Sequence, residues 1–407
     1  MKRNVRLSDG PLTIRTGTTM PLKPINSFIQ KMPRSGIRRI MDSATAPDML
    51  HLEVGQPNFA TPEPILRAAC EAIMDSQGRF TRYTPNMGYA VLREKLAAKL
   101  EEENGIRALP SQILVTPGSN YGIMIALSVL LNPGDEVLAP DPGYVNYAAL
   151  PPQFGCTVRR YPLFESDGFN PRIESIAACM TPATKVIIHN SPSNPTGAVS
   201  PESLIKELMA LAREKNLYIL SDEAYEHIVF EGRHISPARF DGDGNVVSIF
   251  SFSKSFSMTG WRLGYVVASE SIARALEKQQ ELCVSCAPSI SQKAAEAALA
   301  LDRGYISEMV EQYRTRRNIA LKILKRHGLF RYTPQGAFYL LIDISATGMD
   351  SNTFADRLLE EQRVAVAPGA TFGPMAEKYI RVSLATEDHV LVDGLEKICN
   401  YINIKII

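Results

Sequence analysis

No run of eighteen uninterrupted apolar residues occurs in this chain of 407 residues, so no segment is expected to cross a membrane as a helix. An excess of charge of one sign is missing too. The 44 Lys and Arg residues are offset by 43 Asp and Glu, leaving a net charge of +1, which gives no electrostatic reason to expect nucleic acid or a membrane surface as partner. The opening stretch MKRNVRLSDGPLTIRTG is basic but has no apolar core after it, so no signal peptide is expected and the expected location is cytoplasmic. Cysteine is sparse. Of six, only Cys283 and Cys286 make a C-x-x-C, with neither a second pair nor flanking histidines to complete a zinc site. They are expected to be reduced thiols packing a helix, and no metal is expected. Further absences remove whole reaction classes. No G-x-G-x-x-G follows a strand, so a dinucleotide oxidoreductase would lack its phosphate loop, and no H-E-x-x-H occurs. DGDGNVV hints at a calcium loop, but the twelfth position from Asp241 is Phe252 and not the required glutamate.

What is present is alternation. Between about residues 50 and 270 the short apolar runs QILVTPG, DEVLAP, TKVIIHN, LYILSD, NVVSIFSFS and RLGYVVAS read as strands, most ending in a polar or glycine-containing turn. Helical segments separate them. In GYAVLREKLAAKLEEENG, Leu92, Leu96 and Leu100 share a face and Gly105 ends the run, while SPESLIKELMALAREKN is expected to start with Ser200 as N-cap and Pro201 in the first turn. Apolar strands between amphipathic helices argue for a mainly parallel sheet covered on both faces. After residue 270 long helices precede GAFYLLIDIS, SNTFADRLLEEQ, KYIRVSLA and TEDHVLVDGLEKICNYI, the texture of a smaller α+β domain. The expected division is an N-terminal segment 1–50 joining the small domain, a large domain 51–290, and a linker helix with the small domain over 291–407.

Ligands in open α/β sheets bind beyond the carboxyl ends of the strands, and the residues there are chemically specific. Ser119 and Asn120 open a helix, whose free N–H groups suit an anion. Ser251, Ser253 and Arg262 add two hydroxyls and a guanidinium fork for the same anion. Asn194 follows one strand, Asp222 and Tyr225 another, and Lys254 a third. An anion clamp, an acid for a ring nitrogen and an amine for an aldehyde describe the needs of pyridoxal 5'-phosphate.

Eight segments in order, VGQPNFATPEPI, RYTPNMGYAVLREKL, PGSNYGI, PDPGYVNY, NSPSNPTG, SDEAYEHIVF, SFSKSFSMTGWRLGY and YIRVSLA, resemble the class I/II aminotransferases of the pyridoxal-phosphate fold type I superfamily nearly end to end. The resemblance implies a seven-stranded, mainly parallel sheet in the large domain. It makes Lys254 the Schiff-base lysine and general base, with a pKa depressed by burial beside Arg262. Asp222 would pair with the pyridine nitrogen, Tyr225 and Asn194 with the phenolic oxygen, and Tyr144 would stack on the ring. Arg381 would grip the substrate α-carboxylate, with the Gly55 backbone alongside. Tyr83 matches the tyrosine that reaches the cofactor phosphate of the neighbouring subunit, which implies a homodimer with shared active sites. The implied reaction moves an amino group from an L-amino acid to a 2-oxo acid by a ping-pong route. For dicarboxylic substrates a second cation is needed, and Arg34, Arg38 and Arg39 in PRSGIRRI are the candidates.

Other readings compete. SFSK is also an S-x-x-K, as in serine acyl-enzymes, but S-D-N and K-T-G have only partial echoes in SDE and MTG, and Ser251 is expected to close a strand where that motif should open a helix. Regulators that use this fold to sense the cofactor carry a DNA-binding domain ahead of it, and only about fifty residues precede LEVGQPNF. The rival within the fold is a carbon–sulfur β-lyase or an enzyme making aminocyclopropane carboxylate, because these share the cofactor residues and differ in which bond lies across the ring.

Overall fold

The computed structural model describes residues 23–32 and 34–405. The earlier part of the 1–50 segment lies outside them. The chain divides into two compact units. The first carries the helix Ser27–Lys31, capped by the Asn26 side chain, and the second, which begins at Arg34, carries every other element.

The twelve described strands of the second unit are β1 (Leu50–His51), β2 (Ile113–Thr116), β3 (Glu136–Asp141), β4 (Thr157–Pro162), β5 (Thr184–Asn190), β6 (Tyr218–Asp222), β7 (Val246–Ser251), β8 (Gly264–Val267), β9 (Tyr339–Asp343), β10 (Val364–Ala365), β11 (Ala367–Pro368) and β12 (Tyr379–Ser383). Seven of them form one sheet in the order β2-β8-β7-β6-β5-β3-β4. Only β8 runs against the rest. The expected α/β class and strand number are therefore observed. Successive side chains on a strand point to opposite faces, and the burial follows that rule. Val186 and Ile188 join one apolar cluster with Leu220, Val247 and Ile249, while Ile187 joins another with Ile219 and Val246. Both faces are apolar because helices cover both, which is why the strands read as unbroken apolar runs.

Two local readings are corrected. The strand β4 escaped notice because it is an edge strand in which only Tyr161 is buried and the others are exposed or half-buried, so TVRRYP has no apolar run. The helix expected to open at Ser200 spans Glu202–Glu214, with Pro201 as N-cap; Ser200 is buried and its hydroxyl reaches Asn170. The leucine face was read correctly: Leu92, Leu96 and Leu100 are fully buried and Gly105 ends the run with φ of +67°.

The C-terminal part builds a three-stranded antiparallel sheet, β11-β12-β9, in which Arg381 lies opposite Leu341 on one side and Ala367 on the other. β1 pairs in parallel with β10, and Ser383 N–H donates to the Leu52 carbonyl. Residues 50–53 thus run beside the C-terminal sheet and deliver Gly55 to the mouth of the large one. In the large sheet the chain goes from β3 outward to β4 and then back across β3 to β5, which opens a crevice at the carboxyl ends of those strands.

Candidate active site

A cavity of about 260 Å³ occupies that crevice. Ser119 and Asn120 enter it from the first turn of the helix Ser119–Leu130, Tyr144 from the turn after β3, Asn194 after β5, Asp222 and Tyr225 after β6, and Ser251, Ser253 and Lys254 after β7. Gly55, Arg262 and Arg381 complete the set. Every residue expected to hold the cofactor or the α-carboxylate lines this one cavity except Tyr83, which is 87% exposed on the surface. The expected convergence follows from strand direction alone: parallel strands end on one rim.

At one end the groups are donors. Gly118 (φ +87°) is the N-cap of the helix Ser119–Leu130, and a Cβ there would stand 2.7 Å from Arg262 Nη2. A Cβ on Gly264 would likewise stand 2.7 Å from the Ser119 nitrogen. Two missing side chains therefore let a guanidinium and a helix N-terminus close on the same space, a cradle for an anion. Arg262 itself sits at φ +51°, and its Nη1 donates to the Thr259 carbonyl at 2.8 Å. Ser251 ends β7 and also caps the four-residue helix Phe252–Ser255, its Oγ accepting from Ser253 N–H at 3.1 Å. The expectation that Ser251 only closes a strand is corrected, so that part of the case against an S-x-x-K serine enzyme falls away.

Farther in, Asp222 is buried, and burial raises its carboxyl while a hydrogen bond from Tyr147 pulls the other way. Tyr147 Oη donates to Asp222 Oδ2 at 2.5 Å; burial and the Asp222 charge push that phenol far up, so it remains a donor. The Tyr225 and Tyr339 hydroxyls are 2.9 Å apart. Neither Tyr147 nor Tyr339 was singled out in the sequence. Tyr147 had one signal, its place three residues after Tyr144 in PDPGYVNY, and the two rings meet edge to face at 5.6 Å. Tyr339 had none, being one apolar-looking position in GAFYLLIDIS.

Lys254 Nζ donates to the Gly55 carbonyl at 2.6 Å. Burial, then the positive charges of Arg381 and Arg262, bring it down to about 8, against an opposing pull from Asp222. An amine so placed has roughly a tenth or more of its population neutral at pH 7, far more than an ordinary lysine near ~10.4, and that fraction can act as nucleophile and base. Arg381 is 2% exposed. Its Nη1 donates to Asn194 Oδ1 at 3.1 Å and its Nη2 to the Glu53 carbonyl at 2.6 Å, while Nε has no partner. The guanidinium lies 4.2 Å from the Tyr339 ring centroid. Among the described residues no carboxylate pairs with it. A buried cation without a counter-ion is costly, and the chemistry that offsets the cost is an anionic ligand in the cavity.

The arginines considered for a second carboxylate are elsewhere. Arg34 bonds Asp42, Arg39 bonds Asp356, and Arg38 is exposed. The helix that carries Arg38 and Arg39, Gly36–Ser43, instead turns Ile37 into the cavity. Among the described residues no group of His, Cys, Asp and Glu is placed to hold a metal, and all six cysteines are free, Cys283 being exposed.

Comparison with known proteins agrees with this geometry. The family described as "Aminotransferase class I and II" matches residues 47–398. An aromatic-amino-acid aminotransferase of Thermococcus litoralis is 37% identical over 92% of this chain and 97% of its own length. An aspartate aminotransferase of Pyrococcus horikoshii is 37% identical over 90% of this chain and 94% of its own. Among solved structures, the aspartate aminotransferase of Thermus thermophilus with maleate superposes with a TM-score of 0.89 at 34% identity, covering 93% of this chain and all of that one.

Proposed function

The chain belongs to the class I and II aminotransferase family and is an aminotransferase, and we propose that its cavity accordingly holds pyridoxal 5'-phosphate. The donor set fits that group. The cradle beside Gly118 and Gly264, with Ser119, Asn120, Ser251, Ser253 and Arg262, suits the phosphate; Tyr144 suits the ring face; Asp222 suits the ring nitrogen; Tyr225 and Asn194 suit the phenolic oxygen. When bound, the cofactor supplies an aldehyde that condenses with amines and a ring that withdraws electrons from the α-carbon.

The chain's own residues do the rest. Lys254 would hold the group through its amine and, as a free amine, would take the proton from the substrate α-carbon. Arg381, with Asn194 Oδ1 and the Glu53 carbonyl fixing its fork, orients the α-carboxylate and thereby the bond presented to Lys254. Transfer of an amino group from an L-amino acid to a 2-oxo acid in two half-reactions follows. Shared active sites in a homodimer, with Tyr83 reaching across, the domain limits 51–290 and 291–407 and a cytoplasmic location belong to the same proposal. Among the described residues no helix is long and apolar enough to cross a membrane.

The observation that carries the reading is the lysine held down to about 8 between two arginines and an aspartate in one cavity. Its test is the visible spectrum of the purified protein as single amino acids are added. A yellow protein that one amino acid bleaches, and a 2-oxo acid restores, bears the proposal out. Lys254→Ala should show neither change at more than about a thousandth of the wild-type rate. Pyruvate and ammonia accumulating without an acceptor would mean lyase chemistry instead.

A further inference from the structure

A second set of polar side chains, none of them lining the cavity, lies against the residues that carry the amine and the phenol. The helix Ala90–Lys99 continues as a π-helical turn over Leu100–Asn104. Such a turn widens the helix and redirects the chain beyond it, and here it brings Glu103 and Asn104 to residues 226 and 227. Lys99 Nζ donates to Glu226 Oε2 at 2.5 Å and to Asn104 Oδ1 at 2.9 Å, and Asn104 Nδ2 closes the triangle to Glu226 at 2.8 Å. Burial alone would raise Glu226, yet Lys99, His227 and Asn104 bring it down to about 2, while burial draws its partner Lys99 below the ordinary lysine value.

The neighbouring His227 bridges two elements. Its Nε2 lies 2.8 Å from Glu103 Oε2 and its Nδ1 2.8 Å from Ser255 Oγ. A carboxylate only accepts, so Nε2 carries the hydrogen. Burial holds the ring down to about 4, which leaves Nδ1 bare and makes Ser255 its donor. The charged and titratable groups facing the ring are Glu103, Glu226, Lys99 and His234, with Arg303 on the far side of Glu103. The Ser255–His227–Glu103 order is that of a hydrolytic triad, but Ser255 is 1% exposed and has no route to a substrate. The arrangement is a brace.

What it braces needs one. The helix Phe252–Ser255 is only four residues long, and beyond it Phe256 N–H donates to the Phe252 carbonyl at 3.3 Å and Met258 N–H to the Ser253 carbonyl at 3.1 Å. One turn cannot hold itself in water. Ser251 secures its N-terminus, and the hydroxyl of Ser255 is the anchor at its other end. We propose that His227 is a positioning residue, which by accepting from Ser255 fixes this turn and so the direction in which Lys254 presents its amine to the cavity.

The inference rests on the reading of Lys254 as the reactive amine. The test does not need the reaction: in the full-length protein stripped of cofactor, the rate at which an acylating reagent labels Lys254 is followed against pH by peptide mass spectrometry. Wild type should titrate near 8. His227→Phe should move the midpoint upward by about half a pH unit or more, because a loosened turn lets water reach the amine and takes it away from Arg381 and Arg262. His227→Asn, which keeps an acceptor near Nδ1, should restore much of the wild-type value. Ser255→Ala removes one hydroxyl without changing volume and should shift the midpoint as His227→Phe does, which keeps the test open if the phenylalanine variant does not fold. A midpoint unchanged in Ser255→Ala, with or without a fall in Tm, overturns the proposal. The labelling curve is independent of turnover, so failure of the transaminase reading in the spectral titration would be seen separately.

Discussion

Tyr147 donates to Asp222 at 2.5 Å and, with the Ala224 N–H, partly offsets the rise that burial gives this carboxyl. Charge-assisted bonds of this kind contribute about 1.5–3 kcal/mol. Tyr147→Phe should therefore lower kcat/KM about ten- to a hundredfold with only a small change in Tm, and steady-state kinetics with a thermal melt would check it. An unchanged kcat/KM would mean that Asp222 is held by the Ala224 N–H alone. Residue chemistry was legible wherever a polar or charged side chain interrupts an apolar pattern at a strand end, as at Asn194, Asp222 and Lys254. Tyr147 and Tyr339 were not legible, because a phenol is mostly hydrocarbon and reads as core until its hydroxyl is seen to have a partner.

Among the strands and helices, the cradle depends on how closely β8 approaches the helix Ser119–Leu130. A Cβ on Gly264 would stand 2.7 Å from both the Phe250 carbonyl and the Ser119 nitrogen, and backbone on both sides cannot yield. Gly264→Ala is expected to weaken cofactor binding by about tenfold or more, about 1.4 kcal/mol, measured by titrating pyridoxal phosphate into the stripped protein. Gly260 has nothing within 4 Å of its would-be Cβ, so Gly260→Ala should bind as wild type does. Equal affinities in the two variants would remove the close approach as a cause. Strands and helices were legible where one period ran cleanly, and they were missed or shifted at margins. The strand β4 is half-exposed at the sheet edge, the helix at Glu202 starts one residue late with Ser200 engaged with Asn170, and Ser251 serves two elements at once.

Across the folded chain, two histidines are held at about 4 by burial, His189 and His227. In the unfolded chain they titrate near ~6.5. Between these values the unfolded state binds protons that the folded state refuses, so stability is intact above about pH 6.5 and is lost as pH falls toward 4, by roughly 3 kcal/mol for each at the limit. Carboxyls raised by burial, Asp141 and Asp222, act in the opposite direction, and a single-histidine comparison cancels them. The Tm of His189→Gln should fall less steeply than that of wild type from pH 6.5 to 4.5; identical slopes would show that His189 does not stay neutral in the folded protein.

Local period, and the identity of the residue after each strand, were enough to settle the α/β alternation, the two-sided burial of the sheet and most of the residues on its rim. Long-range packing settled the rest. Lys99 meets Glu226 across 127 positions and Arg381 meets Asn194 across 187, and neither pairing leaves a trace in spacing. Packing also set Ile37 toward the cavity while Arg34 and Arg39 turn to Asp42 and Asp356. Which side of a helix meets a cavity is set by what packs against its other side, and that partner lies more than three hundred residues away.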